Sequence, residues 1–90
     1  GEKVAPAEVE AVLLAMPGVR EAAVIGIPDP VLGSVVKAFI VPDDGAKLSE
    51  ISLRQACRQR LESFKVPQEI VLVASLPRTD TGKIRKTALA

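Results

Sequence analysis

VREAAVIGIPDPVLGSVVKAFIVP, residues 19–42, holds two runs rich in β-branched and small apolar residues around a short stretch of turn-formers. The first run, VREAAVIGIPD, reads as a strand closed by Pro28-Asp29-Pro30. The second, SVVKAFIVPDDG, reads as a strand closed by Pro42-Asp43-Asp44-Gly45. The connection PDPVLG is short, so the two strands are expected to pair as antiparallel neighbours. In the second strand Val35, Lys37 and Phe39 share one face, and Val36, Ala38 and Ile40 the other. Both faces are mostly apolar. One is expected to meet helices and the other to be covered by something outside this chain.

Helical patterns lie on either side of this pair. In PAEVEAVLLAMPG, Pro6 suits a first helical position and Glu8 sits in the first turn, where the helix dipole favours a carboxylate. Val9, Val12, Leu13 and Met16 form one apolar stripe, and Pro17-Gly18 ends it. The residue at the cap, Ala5, has no side chain to cap with. In SEISLRQACRQRLESF, Ser49 is the cap and Leu53, Cys57, Leu61 and Phe64 are the stripe. Glu50–Arg54 and Arg58–Glu62 are spaced as i,i+4 pairs, and Arg54, Arg58 and Arg60 read as a solvated face. KVP breaks the helix, QEIVLVASL gives a third strand, and IRKTALA opens a last helix. The order predicts an α+β domain, a small sheet of about three strands flanked by helices, occupying residues 1–90.

At this length only a little over ~60% of the extended-chain surface is buried on folding. Phe39 and Phe64 are the two aromatic residues, so the core is aliphatic. Twelve basic residues stand against 11 acidic ones, a net charge of +1. That balance argues against a nucleic-acid partner, which calls for a basic face and stacking aromatics. No apolar run approaches the ~18 residues of a membrane span, and GEKVAPAEVE is unlike a signal peptide. A soluble, cytoplasmic domain is the expectation. The chain opens in a polar turn-like stretch and closes inside a helical pattern, as a piece of a longer chain would.

Histidine is absent, which removes serine–histidine and cysteine–histidine pairs and leaves no metal-ligand spacing. Cys57, on an apolar stripe, reads as core rather than nucleophile. Asp43-Asp44, between Pro42 and Gly45, reads as a turn rather than a carboxylate pair. Gly82-Lys83 is not a phosphate-binding P-loop: that motif requires a glycine where Pro77 stands and a hydroxyl where Ile84 stands. What remains is Lys83 among the turn-formers Thr79, Asp80, Thr81 and Gly82. A solvated loop lysine is the plain reading of that pattern. A lysine whose direction is restricted by Pro77 on one side and a helix start on the other could also serve an anionic transition state.

LPRTDTGKIRKTAL resembles the last sequence motif of the AMP-forming adenylating enzymes, which include acyl-CoA synthetases, luciferases and peptide-synthetase adenylation domains. GEKVAPAEVEAVL is similar to the end of another motif of that superfamily, a glycine-led loop entering a helix through Pro-x-Glu-Val/Ile-Glu. The likeness runs through VREAAVIGIPDPVLGSVVKAFIVP and SFKVPQEIVLVASLPRT, and so covers essentially the whole chain in order. It implies the small mobile C-terminal lid domain, with the hinge and the large N-terminal domain that binds ATP, Mg2+ and the carboxylic acid lying outside these residues. The style is closest to the acyl-CoA synthetases. The alternatives are the lid of a peptide-synthetase adenylation domain, whose last motif more often reads Asn-Gly-Lys-Val-Asp, or a free-standing docking or regulatory domain.

Carried onto this sequence, the resemblance makes Lys83 the catalytic lysine of acyl-adenylate formation and a target for regulatory acetylation. Gly82 and Thr81 border it as substrate-binding positions. After a domain rotation, the Gly1 loop would line the tunnel for the pantetheine thiol, and Lys3 would meet a coenzyme A phosphate. Some relatives place an arginine before the glycine of the strand connection to contact coenzyme A; here that position is Leu32. These 90 residues alone are not expected to turn over substrate.

Overall fold

Val19–Asp29 (β1) and Gly33–Pro42 (β2) pair antiparallel, with Val24 opposite Ala38 and Ala22 opposite Ile40. The structure, a computed structural model, describes residues 6–31 and 33–89. The Asp29 carboxylate accepts the Val31 N–H at 2.9 Å, the local bond that makes aspartate a turn-former. Leu32, in this connection, lies outside the described residues.

Helix α1 (Pro6–Leu14) precedes the pair, and α2 (Glu50–Arg60) follows it. Val36, Ala38 and Ile40 pack against Val9 and Leu13 of α1 and Leu53 and Cys57 of α2 in one buried cluster. Both helices therefore serve the same face of the sheet, and the period-2 alternation of β2 decides which. Gly18 turns the chain from α1 into β1 with φ at 87°. A Cβ there would stand 3.1 Å from the Leu48 side chain and 3.2 Å from that of Ala46, so conformation and space both call for glycine. Ser49 caps α2 as expected, its hydroxyl accepting the Ser52 N–H at 3.1 Å.

The third strand, β3 (Glu69–Leu72), runs parallel to β2 and gives the order β1-β2-β3. A parallel neighbour needs a long crossover, and α2 supplies it. The ladder is extended by Gln68 N–H to the Val36 carbonyl and Val73 N–H to the Ile40 carbonyl, both 2.8 Å. Arg54, expected on a solvated face, instead ties the crossover down. Its guanidinium pairs with Glu50 and donates to the carbonyls of Pro67 at 3.3 Å and Gln68 at 3.1 Å.

Three further expectations are corrected. First, α2 stops at Arg60, because Leu61 is already extended (φ −122°, ψ 151°) and a one-turn 3-10 helix, Ser63–Lys65, follows. Val66, the residue before Pro67, is extended (φ −69°, ψ 129°), so the proline sets the exit from this 3-10 turn. Phe64 is therefore off the stripe and 37% exposed, with the Lys65 ammonium 5.5 Å from its ring centre. Glu62 meets Lys65 at 3.8 Å rather than Arg58. Second, the last helix is a single 3-10 turn, Lys86–Ala88. Ile84 and Leu89 both pack onto the sheet, and five residues of α-helix would set them roughly 140° apart. Third, the second apolar face of the sheet does not await an outside cover alone. Ala23, Phe39 and Val41 lie under Leu76, flanked by Ile84 and Leu89 of this same chain.

Cys57 is fully buried, and burial pushes its thiol up from the ordinary value of 9.0. The neutral thiol is a core residue, in keeping with its place on the stripe. Because the folded value lies above the unfolded one, its contribution to stability is complete below the unfolded value and is lost as pH rises toward the folded one. Cys57→Val is expected to flatten the decline of stability above about pH 8.5. Denaturant titrations across that range would show it, and an unchanged alkaline slope would contradict it.

Candidate functional site

Residues 76–89 form a strap across the second face of the sheet. Leu76 enters it buried, at 6% exposure, and Ile84 and Leu89 hold its far half against Phe39 and its neighbours. Between them Arg78 bridges Ile84 in antiparallel fashion. Thr79 N–H donates to the Lys83 carbonyl at 2.7 Å, and Gly82 N–H to the Thr79 carbonyl at 2.9 Å. Outside the reversal, Arg85 N–H donates to the Pro77 carbonyl at 2.7 Å. Gly82 has φ at 88°, which makes the reversal a tight turn followed by a left-handed residue.

A Cβ at Gly82 would meet nothing within 4 Å. Backbone conformation alone therefore favours glycine here, by about 1–2 kcal/mol over a residue such as alanine. Gly82→Ala is expected to lower Tm by several degrees, as thermal unfolding would report; an unchanged Tm would mean that the turn is not held in this conformation.

The strap is fastened by ion pairs on each side of the loop. Arg78 pairs with Glu21 of β1, and its Nη1 donates to the Gly82 carbonyl at 2.9 Å. Lys86 Nζ lies 2.8 Å from Glu10 Oε2 of α1, and the same oxygen accepts the Val24 N–H at 2.8 Å. β1 is an edge strand, and Glu10 satisfies one of the donors that an edge leaves without a strand partner. Thr79 and Thr81 hydroxyls lie 2.9 Å apart. Lys83 stands exposed at the tip, and among the described residues it has no acidic partner, unlike Arg78 and Lys86.

Lys83, Gly82 and Thr81 thus lie together on one braced, exposed loop, whereas Gly1 and Lys3 lie outside the described residues. Glu10, Glu21, Arg78 and Lys86 were not singled out from the sequence as bracing residues. The available signal was that Glu10 and Lys86 belong to the two quoted motifs; nothing local says that the motifs touch. Among the described residues no group of three histidine, cysteine, aspartate or glutamate side chains could hold a metal ion. No helix of the described residues is long and apolar enough to cross a membrane.

The family model for the AMP-binding enzyme C-terminal domain matches residues 8–83, ending on the lysine at the loop tip. The chain belongs to that family.

Relatives within it activate different acids. A long-chain-fatty-acid–CoA ligase of Mycobacterium tuberculosis is 43% identical over 89 residues, 99% of this chain and 18% of the relative. A feruloyl-CoA synthase of an Amycolatopsis species is 46% identical over 86 residues, 96% of this chain and 18% of the relative. The solved structure of ATP-bound MatB from Rhodopseudomonas palustris superposes with a TM-score of 0.94 at 39% identity, covering 99% of this chain and 18% of that one. This AMP-binding C-terminal domain therefore spans under a fifth of the length of the relatives it matches.

Proposed function

We propose that this C-terminal domain is the lid of an ATP-dependent, AMP-forming acyl-CoA ligase and that Lys83 is its adenylation lysine. The observation that carries the reading is an exposed ammonium, with no carboxylate partner among the described residues, at the tip of a loop bonded across its neck and anchored to β1. In the first half-reaction a carboxylate oxygen attacks the α-phosphorus of ATP, the bond to the bridging oxygen breaks, and pyrophosphate leaves with that electron pair. Negative charge then gathers on the α-phosphate and carboxylate oxygens. A fixed ammonium stabilises it because the cation need not be reoriented as the charge develops. Gly82 and Thr81 shape the approach of the loop to those oxygens. On this reading ATP and the magnesium that accompanies it are bound by the large N-terminal partner domain.

In the second half-reaction the coenzyme A thiol attacks the acyl carbonyl and AMP departs. Lys83 is then withdrawn, and the Gly1 and Lys3 segment lines the thiol's path. The acyl-CoA relatives support this acceptor over a carrier-protein pantetheine, and the spread of acids among them supports a choice of acid made in the partner domain. A cytoplasmic setting, where ATP and coenzyme A are both supplied, is part of the same proposal. The test is to compare Lys83→Ala with the unaltered protein, in the presence of the large domain, for pyrophosphate release and for acyl transfer from supplied adenylate.

A further inference from the structure

We propose that Arg78, held by Glu21, is a positioning residue that sets the direction of Lys83; this rests on the reading of Lys83 given above. The two peptide groups that flank Lys83 are both bonded. The preceding one, through the Gly82 carbonyl, accepts from Arg78 Nη1 at 2.9 Å, and the following one, through the Lys83 carbonyl, accepts the Thr79 N–H at 2.7 Å. Peptide planes are rigid, so fixing the plane on each side of a residue fixes its φ and ψ and hence the exit vector of its side chain. Of the two bonds, the Thr79 one is internal to the loop and moves with it. The Arg78 one is referred to the sheet, because the other arm of the guanidinium pairs with Glu21 on β1.

Glu21 suits that task. Its side chain is 23% exposed, and it alternates with Ala23 on the face that the strap covers. The planar guanidinium can hold a carboxylate with one arm and a carbonyl with the other in a set orientation. A lysine ammonium carries the same charge but not that fork. The Lys86–Glu10 pair differs in kind, since it fastens the strap beyond the loop and touches neither peptide of Lys83. These two attachments separate positioning of the lysine from attachment of the strap.

The experiment uses the protein in which this domain accompanies its large partner domain, with the variants Arg78→Lys, Glu21→Ala, Lys86→Met and, as reference, Lys83→Ala. Arg78→Lys and Glu21→Ala are expected to lower kcat of adenylate formation about tenfold to a hundredfold, the scale of a misplaced catalytic group. KM for ATP and acyl transfer from supplied adenylate should stay as they were. Amide exchange at Thr79 and Gly82 should quicken in Arg78→Lys while that of the main core is unchanged. Lys86→Met should not separate the two half-reactions. Full adenylation by Arg78→Lys beside a deficient Lys83→Ala would overturn the positioning role and leave the lysine's role standing. Equal loss of both half-reactions in Arg78→Lys would also overturn it, marking a merely structural contact. Full adenylation by Lys83→Ala would overturn the reading of the lysine and the positioning role with it.

Discussion

Lys83→Ala is expected to slow acyl-adenylate formation by about 10²–10³-fold, the usual cost of removing one preorganised charge donor from a transition state. Acyl transfer from supplied adenylate is expected to run near its original rate. The asymmetry follows from where charge develops. Phosphoryl displacement gathers negative charge on oxygens that a cation can meet, whereas thiol attack on an already activated acyl carbonyl expels AMP without needing that cation at the same place. Lys83 is exposed, and among the described residues it has no acidic partner. Its removal therefore breaks no ion pair seen in the fold, and Tm should barely change. That separates a chemical defect from a folding one. Single-turnover pyrophosphate release, followed by thioester formation from synthetic adenylate, measures the two halves. Equal loss in both would end the proposed role.

Ile40→Ala is expected to remove about 2–5 kcal/mol of stability, and Ile40→Val about 0.5–1.5 kcal/mol. Ile40 is fully buried in the middle strand, facing Val9, Leu13, Leu53 and Cys57 in the helix-covered core. Both helices pack on its face, and a core that relaxes only partly keeps a cavity there. Small domains hold roughly 5–15 kcal/mol in all, so the alanine variant should be partly unfolded on mild warming. Urea denaturation of both variants gives the two values. A loss below that of the valine change would show that the core collapses around the gap.

Much of this fold is written in local pattern. The β1–β2 hairpin follows from two β-rich runs and a short connection of turn-formers, and Ser49 declares the start of α2. Local pattern fails where a distant contact decides. IRKTALA has helical composition, yet Ile84 and Leu89 are both claimed by the sheet, and one 3-10 turn is what remains. Phe64 has the spacing of the α2 stripe, but the backbone is already extended at Leu61, before the period reaches it. The apolar second face of β2 was visible as residues in want of a cover, without any sign that the strap of the same chain supplies much of it. The site divides in the same way. Gly82-Lys83 was legible as a turn with a lysine, because turn chemistry is local. The partnership of Arg78 with Glu21, and of Lys86 with Glu10, joins residues far apart in sequence and has no local trace.

The ties at Glu21 and Glu10 bear on when the lysine is put in place as well as where. A strap fastened to the first helix and first strand cannot dock until those elements are formed, since long chain segments must be closed before such contacts repay their entropy. Helix α1 and the β1–β2 hairpin can assemble from near neighbours, and the crossover through α2 adds β3. A chain made from its N-terminus completes the strap last, so the lysine gains its brace only where α1 and β1 already stand to receive it.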